Sequence, residues 1–181
     1  MVEAGEGVVD ITPPLGIELS GFHFHPGNER LITGIRQPPS TRALVLRLKA
    51  VETAIVSMEI CAVSRDFVKR VQAQVANQVG IPVENVRICV THTHSMPTLR
   101  YFRQWGAIPP KAYIDVLENS VVQAVELAKE DLAPADLYVG KARAAGGNFN
   151  RTSETWETDE LFTETSKISF FLNEKPCIRR Q

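Results

Sequence analysis

The chain has 181 residues, with 20 lysines and arginines against 21 aspartates and glutamates. A balance this close to neutral, with no basic run, argues against a nucleic-acid partner and for a small or neutral ligand. The apolar fraction is 44%, yet no apolar stretch approaches the ~20 residues of a transmembrane segment, so a soluble protein is expected.

One domain is expected over residues 1–181, large enough to bury its own core without a metal or disulfide staple. Cys61, Cys89 and Cys177 are odd in number and lack metal-type spacing. Two of them lie in apolar strand-like runs, where thiols serve as small core side chains. The opening MVEAGEGVVDITPP has no charged region followed by an apolar one, so no secretion signal is read. A cytoplasmic protein, or a secreted one delivered without its leader, would both fit.

In chain order, Gly7 to Ile11 reads as a strand stopped by Pro13-Pro14, followed by a polar, Gly/Pro-rich segment from Leu15 to Ser40. Loops longer than about 12 to 15 residues are more often functional than not, with disorder the competing explanation. Arg42 to Leu48 and Thr53 to Cys61 then form a hairpin, with Lys49 and Glu52 around its turn. From Ser64 the apolar residues Phe67, Val68, Val71, Val75 and Val79 recur at helical spacing. Ser64 is placed as the N-cap and Gly80 lies just past the end. Val86 to Val90 is a strand expected to be buried on both faces. Ala112 to Lys129 is a second helix with Val116, Leu117, Val121, Val125 and Ala128 as its stripe. Leu137 to Ala142 and Ile168 to Leu172 complete the strands. The alternation predicts an α/β fold, a layered mixed β-sheet flanked by at least two helices.

The stretch ICVTHTHSMP carries the chemistry. If the strand runs to Thr91, residues two apart share a face, and His92 and His94 point the same way from its C-terminal end. In layered α/β proteins that end is where ligands bind. Two neutral imidazoles on one face can reach a single Zn²⁺, and Thr91, Thr93 and Ser95 can supply hydrogen bonds that set the tautomers. The alternative is a pair of solvated loop histidines. His23 and His25, in GFHFHPG, either complete the metal site or are surface loop residues flanked by packing phenylalanines, the latter being favoured.

Among other candidates, Arg42 could clamp a carboxylate or phosphate with its planar fork, or pair structurally with Glu59. Asp10, before Thr-Pro, reads as a turn-forming carboxylate. Ser95 has no base held beside it except His94. Tyr101, Phe102 and Trp105 could wall an acyl chain, though ordinary packing is the stronger expectation.

Four islands, VVDITPPLGIELSGF, TRALVL, THTHSMP and GGNFNR, resemble in order and spacing the N-terminal part of the neutral/alkaline, non-lysosomal ceramidases, a family of zinc-dependent amidases. The resemblance implies that His92 ligates zinc and that His94 contacts substrate or bound water. It also implies that Arg151, with Asn150 beside it, lies near the scissile amide of a small-molecule or lipid-like N-acyl substrate. Zinc would polarise the carbonyl and acidify a water, with His94 or Arg151 stabilising the oxyanion.

This sequence departs from the family pattern at Met96, where the family has glycine, at Gln37, where a carboxylate is expected, and at Glu59, where an aspartate is usual. The family draws a further histidine, a glutamate and a tyrosine from chain beyond the stretch present, and no histidine follows His94. Three explanations stay open: a fragment, a short relative borrowing ligands, or a degenerate member. Catalytic zinc takes about three protein ligands, and His92, His94 and either His25 or Glu59 make up that number, His25 being taken here. The enzyme reading therefore stands beside a non-catalytic one, a domain that binds ligand or metal and is free to form a homo-oligomer.

Overall fold

A computed structural model describes residues 1–22, 27–101, 106–142 and 167–172. Its elements are β1 (Val2–Asp10), β2 (Ser40–Leu48), β3 (Val51–Met58), α1 (Arg65–Gln78), β4 (Val86–Val90), α2 (Lys111–Glu130), β5 (Ala133–Ala135), β6 (Leu137–Ala142) and β7 (Lys167–Leu172). The chain divides into two compact units, one of Glu3–Pro134 and one of Met1–Val2 with Ala135–Gln181. In the second, β6 and β7 form an antiparallel pair with Leu137 opposite Leu172.

The main sheet has the order β4-β3-β2-β1-β5. Strands β2 and β3 are the expected hairpin, and β4 runs parallel to β3. This is the α/β layered mixed sheet anticipated from the alternation of short apolar runs and helical patterns. The hairpin turn is tighter than expected: Lys49 takes a left-handed φ of 56°, and Glu52 already belongs to β3, opposite Arg47.

Period-2 alternation sends Ala43, Val45, Ala54, Val56 and Met58 to one face of the sheet. There they form one core with Phe67, Val71 and Val75 of α1 and Leu117, Val121, Val125 and Ala128 of α2. Each large side chain buried this way contributes roughly 1.5–3 kcal/mol. Helix α1 starts where Ser64 accepts the Phe67 N–H at 3.1 Å. It ends where Gly80, at φ 83°, donates its N–H back to Val75 O. Between the helices, Glu118 accepts from Arg70 at 2.6 Å and from Gln74 at 3.3 Å.

Three expectations need correction. Strand β4 is covered on one face only, the face on which α1 and α2 pack, so Val86 is buried while Arg87 and Cys89 are exposed, as are their β3 partners Ile55 and Ser57. The Cys89 thiol is therefore a surface group, whereas Cys61 is buried as expected. In α2, Val116 is 48% exposed. It lies about 100° round the helix from Leu117, and Tyr113, Val122 and Ala124 fill the interior instead.

Strand β1 begins at Val2, well before Gly7, because its glycines mask a strand signal. Their reason is contact: a Cβ on Gly5 would fall on Ala128 O and one on Gly7 on Ala124 O, so α2 lies directly on the backbone of β1. Beyond β1, Asp10 accepts the Thr12 N–H at 2.6 Å, the local turn expected of it. The Tyr113 hydroxyl, whose pKa burial and then the Asp10 charge push far up, donates to Ile11 O at 2.5 Å.

Gly7→Val should cost about 1–3 kcal/mol, as overpacking against a rigid neighbour does, or prevent folding. Urea unfolding checks this, and an unchanged midpoint would mean that α2 does not rest on β1. At the other side of β1, the Arg47 guanidinium grips both carboxylate oxygens of Glu3, at 2.7 and 2.8 Å, and holds its pKa below the ordinary range. A depressed carboxylate pKa stabilises above the unfolded value, about 4.3, and the contribution fades as pH falls through the folded value. Glu3→Gln should therefore lower the melting temperature at neutral pH and lose that effect in acid. A difference that does not shrink as pH falls below the unfolded value of about 4.3 would contradict the pairing.

Candidate metal centre and adjoining cleft

Parallel strands β3 and β4 end side by side, and the loops that leave them are laced together. Thr91 and His92 donate their N–H groups to Met58 O and Ile60 O at 3.1 and 3.2 Å, while Cys61 and Leu99 donate to Pro97 O and Ala62 O at 3.3 and 2.7 Å. The histidines sit in this lacing rather than on a continued strand. Strand β4 stops at Val90, and His92 has a φ of 61°. The side-by-side placement expected from pleating is thus produced by a turn. A non-glycine residue held there costs about 1–3 kcal/mol, although histidine tolerates it better than most. The two rings meet edge to face, with centroids 5.0 Å apart and planes at 85°.

Each ring is oriented through the same atom. His92 Nδ1 lies 2.9 Å from Cys61 O and His94 Nδ1 lies 3.0 Å from Ser20 O. A carbonyl oxygen only accepts, so both Nδ1 atoms carry the proton and both Nε2 atoms carry the lone pair. That is the tautomer of a metal-binding histidine, whose other nitrogen is fixed by a backbone carbonyl. The donor set therefore fits a zinc-like ion. His94 is half-buried, with its ring 4.7 Å from that of Phe22, and a Cβ on Gly21 would fall on its Nδ1. Only glycine allows this approach.

Among the described residues, the group of ligand-type side chains that converges is Cys61, His92 and His94, with one ligand atom of each within 4.8 Å of the others. Cys61 Sγ lies 3.8 Å from His92 Nδ1, on the edge of the ring that the Cys61 carbonyl also occupies. Glu59 is engaged elsewhere: its Oε2 accepts from Ser40 N and Oγ at 2.7 and 2.8 Å. Ser20, Gly21 and Cys61 were not legible as site residues, because they meet the histidines only through the folded loops. The LSGF turn carried the one available signal, a glycine before an aromatic residue.

A cleft of about 620 Å³ borders the same segment: Thr91, Thr93, Ser95 and Met96 line it together with Leu31 to Pro39 and Glu59, while His92 and His94 are not among its lining residues. Hydroxyls thus line the cleft at alternate positions of the same segment that holds the imidazoles. The carbonyls of Cys61 and Ser20, rather than these hydroxyls, account for the tautomers. Thr93 Oγ1 instead accepts the Ser95 N–H at 3.2 Å. Arg42 is exposed on β2, and its Nε donates to Ser40 Oγ at 3.2 Å, so Ser40 stands between it and Glu59. His23, His25, Phe102, Trp105, Asn150, Arg151 and Cys177 lie outside the described residues.

Comparison with known proteins bears on the fold and the family. The chain is similar to the solved structure of a ceramidase complexed with C2, with a TM-score of 0.66 and 22% identity over 83% of this chain and 24% of that one. It is likewise similar to neutral ceramidase from Pseudomonas aeruginosa, with a TM-score of 0.68 and 21% identity over 83% of this chain and 25% of that one. The chain therefore spans about a quarter of the length of those proteins, and at such identity the likeness is one of fold. The model of the neutral/alkaline non-lysosomal ceramidase N-terminal region matches residues 3–164, and the chain belongs to that family.

Proposed function

We propose that residues 1–181 form the N-terminal part of a ceramidase-like catalytic domain that hydrolyses the amide bond of a lipid-like N-acyl substrate with zinc. The observation that supports this most is the pair of imidazoles, each with Nδ1 committed to a backbone carbonyl and its Nε2 lone pair set for a metal. The cleft supports the substrate class. Among its lining residues, Leu31, Ile32 and Ile35 suit an acyl chain, and Thr91, Thr93 and Ser95 suit a hydroxyl-bearing head group.

Zinc, when bound, would supply Lewis-acid polarisation of the amide carbonyl and a water acidified toward neutrality. The protein's own part is positional. His92 would hold the ion through Nε2, and His94, the more enclosed of the two, would either share it or contact the oxygen on which charge develops, since with Nδ1 on Ser20 O its one remaining nitrogen serves one of these roles at a time. Arg151 and Asn150, placed by the N-F-N-R island, would contact the amide and the substrate, with Arg151 bringing a fixed positive charge. Arg42 is held as a further substrate contact. His25 is the proposed third ligand.

The second reading, a domain that binds ligand or metal without turnover and is able to self-associate, draws support from the converging group of Cys61, His92 and His94. There the thiol lies against the Nδ1 edge of His92, away from Nε2, so among the described residues two imidazoles are left for an ion where a catalytic zinc takes about three protein ligands. Metal analysis after dialysis separates the two. About one zinc per chain, lost in His92→Ala and accompanied by hydrolysis of a short-chain ceramide, is the expected result. Zinc that is absent, or retained equally by the variant, would leave the non-catalytic reading.

A further inference from the structure

Resting on the reading of His94 as a histidine of the proposed catalytic site, we propose that Arg30 is its positioning residue, clamping the Ser20–Phe22 turn against the histidine segment. The turn is awkward to hold by itself. Gly21 and Phe22 both adopt left-handed backbone, at φ 75° and 63°, and for a bulky side chain such as phenylalanine this is a strained conformation. Ser20 in the same turn provides the carbonyl that fixes the His94 tautomer.

Arg30 meets every part of this arrangement. Its NH1 donates to Gly21 O at 3.1 Å and to Ser20 O at 3.5 Å, and its NH2 donates to His94 O at 3.4 Å. The guanidinium carbon stands 5.4 Å from the centroid of the Phe22 ring, and that ring packs on His94. A planar fork can join two segments and stack on an aromatic face at once, which a lysine ammonium cannot. The base of Arg30 is itself anchored, because Leu19 N–H donates to Arg30 O at 2.6 Å and Ile32 N–H to Ile17 O at 2.9 Å. The arginine therefore reaches the turn from a ladder, and its loss would release the turn without dismantling the sheet.

The test reads the ring nitrogens of His94 directly, by long-range proton–nitrogen correlation at about pH 8, above the ordinary histidine pKa of about 6.5, with His94→Gln for assignment. In the wild type, Nδ1 should give a protonated and Nε2 an unprotonated signal. In Arg30→Ala the two should move toward each other while His92 keeps its pattern. Arg30→Lys should recover only part of the wild-type pattern. If Arg30→Ala does not fold, Arg30→Gln carries the same measurement. Unchanged His94 signals, or equal changes at His92 and His94 with a matching loss of stability, would overturn the proposal. If the wild type takes no zinc, the zinc reading falls, and the nitrogen signals still decide the role of Arg30.

Discussion

The lacing of the loops after β3 and β4 is the constraint from which the rest of the site follows. A parallel pair of strands delivers two chain ends to the same edge of the sheet, and each emerging backbone needs partners for its N–H and C=O groups. Here they find one another, through Thr91 to Met58, His92 to Ile60, Cys61 to Pro97 and Leu99 to Ala62. Once these bonds form, the position of His92 Cα is no longer adjustable, and its left-handed backbone is held by the surrounding structure. The Cys61 carbonyl that orients its ring comes from the other loop of the same lacing.

The outcome is a short segment with two chemistries on opposite sides. Thr91, Thr93 and Ser95 line the cleft, and His92 and His94 turn their rings toward each other beside it. Met96, buried in the cleft lining, fills space that the glycine usual in the resemblance would leave open, and so bears on what the cleft admits.

Much of the fold was legible because its signals are local. Ser64 and the spacing of Phe67, Val71 and Val75 define α1, and the alternation of Ala43, Val45, Ala54 and Val56 defines the hairpin. What was hidden depends on neighbours. Whether β4 has one covered face or two is decided by the helices, which pack on a single face of the sheet and leave Ile55, Ser57, Arg87 and Cys89 exposed on the other. The early start of β1 was obscured by Gly5 and Gly7, residues that weaken a strand pattern and yet are required for contact with α2. In the site, the histidine pair was visible from its spacing, but the reason it converges was not. The strand was expected to aim the rings, whereas a turn and two carbonyls from distant segments do so.

The claim at the centre of this account is that two imidazoles are preset to share one ion. Zinc K-edge X-ray absorption on the zinc-loaded chain tests it most directly. The account predicts two imidazole nitrogens at about 2.0–2.1 Å in the scattering around the metal. A spectrum fitted with one imidazole or none would contradict it.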